Sequence, residues 1–180
     1  PAPKPLSLNQ KPLCATVGFA IESENIVGYQ TIEAPAALKY KALSVSFENV
    51  GEDAKFPIAS LFTCAAPKGA AACTTAADQI WLWDTEANDW VKYFYMKKGT
   101  APAVGWCKKG ETVATTETIS AGETFFFFRG QGGAATTLTL AGQVKEFEAE
   151  AQYDAPAALH YKFIGYPWPV AMKVADFAKY

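Results

Sequence analysis

Glu123-Thr124-Phe125-Phe126-Phe127-Phe128-Arg129 is the stretch on which the fold turns. Successive side chains of a strand point to opposite faces. Four consecutive phenylalanines therefore demand cover on both faces, which a surface strand does not have. The segment reads as the central strand of a layered β protein, with the other apolar strands arranged around it. Half of the 180 residues are hydrophobic and 14% are aromatic, enough apolar surface for a real core in one compact domain or two small ones.

Working outward, Gly130-Gln131-Gly132-Gly133 ends the Phe strand as a turn, and Thr137 to Gly142 is the next strand. The glycines are no phosphate loop, because the Lys-Ser/Thr ending and a following helix are both missing. Upstream, Asp78 to Asp84 and Trp90 to Met96 flank Thr85-Glu86-Ala87-Asn88-Asp89, a run of turn chemistry, and form a hairpin. Tyr40 to Phe47 alternates, with Leu43, Val45 and Phe47 on one face and Ser44 and Ser46 on the other. Cys14 to Ile21, Asn25 to Ile32 and Gly105 to Cys107 add further strands, and Ile58 to Phe62 reads as one helical turn in preference to a short strand. Lys145 to Ala151 alternates strictly and is read as a strand with Glu146, Glu148 and Glu150 on one face. Many short strands with frequent turns predict an all-β protein, a β-sandwich or a partly closed barrel.

The chain also repeats itself. Ala34-Pro35-Ala36-Ala37-Leu38-Lys39-Tyr40-Lys41 returns as Ala155-Pro156-Ala157-Ala158-Leu159-His160-Tyr161-Lys162, identical at seven of eight positions. Weaker matches continue, Leu43 with Ile164 and Phe47 with Trp168. The second pass is expected to be a partial copy, since up to Tyr180 it meets no counterpart of the Trp hairpin or the Phe strand. The predicted organisation is an extended Pro-rich arm over 1–12, a main β domain over 13–144, and a partial second copy over 145–180. That copy is expected to pack on the main domain or on a neighbouring chain.

Several stretches carry a family likeness: Gly28-Tyr29-Gln30-Thr31-Ile32, Ala34 to Lys41, Ala77 to Asp84, Trp90 to Lys97, Gly105 to Glu111, Thr118 to Arg129 and Leu138 to Val144. In this order the chain resembles a family of secreted, repeat-bearing β-rich proteins found in many copies in Verrucomicrobia- and Lentisphaerae-type bacteria. The resemblance covers roughly residues 13–144, with a partial second pass to 177. It implies a secreted or surface-associated protein with a structural role. The family has no established activity, so the resemblance carries over no functional residue.

Four cysteines are present, Cys14, Cys64, Cys73 and Cys107. The chain starts at Pro1, read as an exported, processed N-terminus; a trimmed start is the plain alternative. An even cysteine count in an exported chain favours two disulfides. Cys64 and Cys73 flank a loop with Pro67 and Gly69, which makes them the expected bridge and leaves Cys14 with Cys107; free buried thiols are the alternative. Each bridge is expected to contribute ~2–4 kcal/mol. No C-x-x-C spacing accompanies the single histidine, so no metal site is expected.

The formal charge of -2 gives no reason to expect a nucleic-acid partner, and no apolar run is long enough to span a membrane. His160 has no nucleophile or second base to work with, and its counterpart in the repeat is Lys39. The three glutamates stand about 6.8 Å apart along a strand face, a spacing compatible with a glycosidase pair or calcium; a solvated face explains them more simply. Trp81, Trp83, Trp90 and Trp106 form a candidate sugar-stacking set, with core packing as the competing reading. No catalytic residue and no cofactor is assigned.

The function expected from these readings is a secreted, extracellular structural protein at the cell surface, assembling with itself into a filament or surface layer. The arm, through Pro3, Pro5, Leu6 and Leu8, is the expected assembly element. A carbohydrate-binding or adhesive module, with surface glycans as partners, is the alternative.

Overall fold

The computed structural model describes residues 27–50, 54–62, 67–97, 105–144 and 156–165. Among the described residues nine strands follow one another: β1 Val27–Glu33, β2 Tyr40–Ser44, β3 Phe56–Pro57, β4 Gln79–Asp84, β5 Asp89–Met96, β6 Gly105–Lys108, β7 Thr118–Ile119, β8 Thr124–Phe128 and β9 Thr137–Gln143. A single 3-10 turn, Ile58–Ser60, follows β3 and matches the helical turn expected there. The protein is all-β, with antiparallel sheets in a sandwich-like arrangement, and the described strands form no closed barrel.

The Phe strand is interior, as its sequence demands. The main sheet runs β2-β8-β4-β5-β6, so β8 has a partner on each side. Directly opposed residues share a face, and two sets separate cleanly. Leu43 opposes Phe125, which opposes Leu82; Phe127 opposes Ile80, which opposes Tyr93; and Tyr95 opposes Trp106. This inner set joins Leu138 and Leu140 of β9, Phe56, Ile58, Leu61 and Ile119 in one hydrophobic core. On the other face lie Tyr40 and Phe128, Phe126 and Trp81, Trp83 and Trp90, and Phe94 and Cys107.

The β1–β9 ribbon meets this core through a close approach. Gly28 and Gly142 oppose each other, and a Cβ on Gly28 would come within 2.6 Å of the Phe47 ring, as one on Gly142 would of Phe56. Two adjacent glycines thus open the slot that lets both rings pack against the ribbon.

The β4–β5 hairpin forms as its turn chemistry predicts. Asp84 Oδ1 accepts from the amides of Glu86 and Ala87, both at 2.9 Å, and Asn88 takes the left-handed conformation at φ 52. Gly130 to Gly133 is likewise a turn, closed by Gly133 N–H donating to Gly130 O at 2.9 Å.

One buried ion pair ties the loop before β4 to the end of β8. Arg129 Nη1 donates to Asp78 Oδ2 at 2.6 Å, with both side chains withdrawn from solvent. Asp78 also accepts from the amides of Lys68 and Gly130, each at 2.7 Å, while Arg129 Nη2 donates to Ala134 O. A buried carboxylate so fully hydrogen-bonded is tolerated; removing one member of such a pair costs about 3–5 kcal/mol.

Candidate functional site

The outer face of the main sheet is the feature that most needs a functional reading, because it is aromatic and has two separate covers. At one end Lys68 to Asp78 folds over it. Ala70 pairs with Met96 as a bridge, and Ala77, Phe94, Met96 and Cys107 make a second, smaller cluster against which Ala70 and Cys73 pack. At the other end the described part of the second repeat copy, 156–165, lies over the hairpin. Between them Tyr40 remains half exposed.

The second copy is held by polar anchors around an aromatic centre. Trp83 Nε1 donates to Tyr161 O at 2.7 Å, and the Tyr161 amide donates to Asn88 Oδ1 at 3.2 Å. His160 Nδ1 lies 2.6 Å from Thr85 O, so that nitrogen is the protonated donor. Ile164 bridges Glu123, and Gly165 N–H donates to Gly122 O at 2.8 Å. Phe163 sits among Trp83, Trp90 and Phe126, with ring centroids 5.3, 4.9 and 6.4 Å away. These are edge-on or tilted contacts of the kind aromatic quadrupoles favour.

Along the same face Tyr40 meets Trp81 edge-on at 4.9 Å, and Lys92 Nζ stands 3.9 Å over the Trp81 ring. Trp81 Nε1 is satisfied by Gln79 Oε1 at 2.8 Å. A sugar-stacking row needs rings that present their faces outward. Here the rings turn edge to face against one another, at 69° between Trp83 and Trp90 and 73° between Trp90 and Phe126, and the ammonium of Lys92 covers Trp81.

A cavity of about 270 Å³ lies where the docked copy, the hairpin end and the 117–124 segment meet, lined by Trp83, Asp84, Tyr93, Glu117, Glu123 and Phe163 among others. Tyr93 donates its hydroxyl to Glu117 Oε2 at 3.0 Å. Burial first, and the Glu117 carboxylate second, push this phenol well above its ordinary range.

The sequence-predicted site residues separate into three groups. Trp81, Trp83 and Trp90 come together on the outer face, but Trp106 does not. It is buried on the inner face against Tyr95, with centroids 5.3 Å apart, and belongs to the core. The expected disulfides need correction: Cys73 and Cys107 carry free thiols. They sit together at one apolar cluster. Those two cysteines, the arm residues Pro3, Pro5, Leu6 and Leu8, and Glu146, Glu148 and Glu150 lie outside the described residues. Among the described residues no group of three or more His, Cys, Asp or Glu is placed to hold a metal ion, and no helix is long and apolar enough to cross a membrane.

Sequence reasoning missed Phe163 and Tyr161 as partners of the tryptophans, and Phe126 and Tyr40 as members of the same face. The signal was present in the repeat: Tyr161 is the counterpart of Tyr40, and Phe163 stands where the first copy has Ala42, so the second pass carries its own aromatics. Comparison with protein-family models, curated proteins and solved structures finds no match to this chain.

Proposed function

We propose that the protein is a secreted structural subunit, self-assembling into an extracellular filament or surface layer made of repeats of this β unit. The observation that carries the reading is the docked second copy. Within the chain, Tyr161, Phe163 and Ile164 of the second copy rest, still partly exposed, on the hairpin end of the main sheet. A repeat whose start fits the preceding unit supplies the head-to-tail contact that an array requires. The mutually edge-on tryptophans serve packing in this reading, not ligand stacking. The partner is the protein itself, with the Pro-rich arm as the element that joins chains.

Electron microscopy of material recovered from producing cells before any denaturing step tests this directly. Regular fibres or sheets are expected, and deletion of residues 1–12 should abolish them while leaving the body folded. Dispersed particles from the intact protein, combined with binding on a glycan array, would replace the structural reading with an adhesive one.

A further inference from the structure

Three sulfur-bearing side chains share one cluster at the end of the outer face. Cys107 opposes Phe94 across the β5–β6 pair, and Met96 lies two residues further along the same face of β5. Cys107 and Met96 are therefore diagonal neighbours, with Cβ atoms within about 7–8 Å. Cys73 reaches the same spot from the covering loop, its Sγ 3.9 Å from Met96 Sδ. Cys107 is fully buried in this cluster, and Cys73 packs against its rim, half exposed.

We propose that Cys73 and Cys107 are a disulfide-forming pair, oxidised by a small-molecule disulfide, which staples the Lys68–Asp78 loop to edge strand β6. The two sulfurs are unlike, and the difference orders the chemistry. Burial, with the neighbouring Cys73 second, pushes the Cys107 thiol up, so it stays protonated while the more accessible Cys73 reacts. The Cys73 thiolate attacks one sulfur of the external disulfide, forms a mixed disulfide and expels the first small thiol. Cys107 then loses its proton to water, attacks Cys73 Sγ and expels the second. Two protein thiols are oxidised to one disulfide, and one external disulfide is reduced to two thiols. The bridge would hold the loop that carries Asp78, the partner of Arg129.

The test is a disulfide map of the full chain, made by native incubation with oxidised glutathione, alkylation of remaining thiols and tryptic digestion without reduction. Lys68 separates Cys64 from Cys73, so the four cysteines fall in peptides 1–39, 56–68, 69–92 and 99–108. The expected product is 69–92 joined to 99–108, and it should persist in a Cys14→Ser/Cys64→Ser variant. In the reduced protein Cys73 should alkylate before Cys107. Links of 56–68 to 69–92 or of 1–39 to 99–108, a glutathione adduct on Cys73 that never resolves, or two alkylated thiols after oxidation would each overturn the proposal.

Discussion

The two copies of the Ala-Pro-Ala-Ala-Leu segment make the same turn and then meet different fates. Leu38 and Leu159 both take the left-handed conformation, at φ 61 and 67. Lys39 N–H donates to Ala36 O at 3.0 Å, and His160 N–H donates to Ala157 O at 3.0 Å. Past the turn the first copy becomes β2, paired with β8 from Tyr40 to Ser44, and places Leu43 in the core. The described part of the second copy, 156–165, makes a single bridge, Glu123 with Ile164, and leaves Ile164 substantially exposed. Eight residues suffice to specify the turn. The strand that follows depends on the partner available, and the first copy has already taken that edge of β8.

The substitutions between the copies suit these fates. Ala42, on the outer face of β2, is replaced by Phe163, whose ring, still partly exposed, lies among Trp83, Trp90 and Phe126. Ser44 is replaced by Gly165, and the two equivalents lie against each other: a Cβ on Gly165 would collide with Ser44 Cβ and stand 3.0 Å from Thr124 Oγ1. The second copy thus crosses the first at the same position of the repeat, where only the absence of a side chain allows contact.

The contrast is broken most severely at the paired positions Leu43 and Ile164. Leu43→Ala should cost about 2–5 kcal/mol of global stability in urea unfolding, because a buried core side chain is lost and a cavity remains. Ile164→Ala should cost below about 1 kcal/mol, as expected for a partly exposed side chain. Equal losses at the two sites would show that the second copy is integral to the core.

A smaller effect sharpens the comparison at the turns. A non-glycine residue in the left-handed region costs about 1–2 kcal/mol, and glycine in exchange gives up roughly 0.5–1 kcal/mol of chain entropy. Leu38→Gly should therefore raise the melting temperature slightly. Leu159→Gly should leave the body's melt unchanged and strengthen only the docking of the second copy.

Much of the fold was legible because its signals are local. The four phenylalanines require two covered faces, and the structure supplies β2 and β4 on either side, a core beneath and aromatics above. The hairpin followed from Asp84 to Asp89. The face of each tryptophan was not legible, because β4, β5 and β6 are apolar on both faces and alternation loses its meaning there. Trp106 was consequently placed with the wrong set. The Asp78–Arg129 pair joins residues 51 apart in sequence and leaves no local trace. The cysteine pairing was inferred from an even count and a convenient loop, whereas the register of β5 with β6 brings Cys107 to the Cys73 cluster.

The central claim is that the second copy docks on the hairpin end of the sheet, and two indoles report on it. Trp81 Nε1 is bonded to Gln79 within its own strand, and Trp83 Nε1 to Tyr161 O of the second copy. Solvent exchange of the indole protons, followed by NMR with each signal assigned through a Trp→Phe variant, compares them in one molecule. The Trp83 proton should be protected in the intact protein and should lose that protection in Gly165→Ala, while Trp81 stays unchanged. A Trp83 proton that already exchanges at the rate of free indole, and does not respond to Gly165→Ala, would contradict the account.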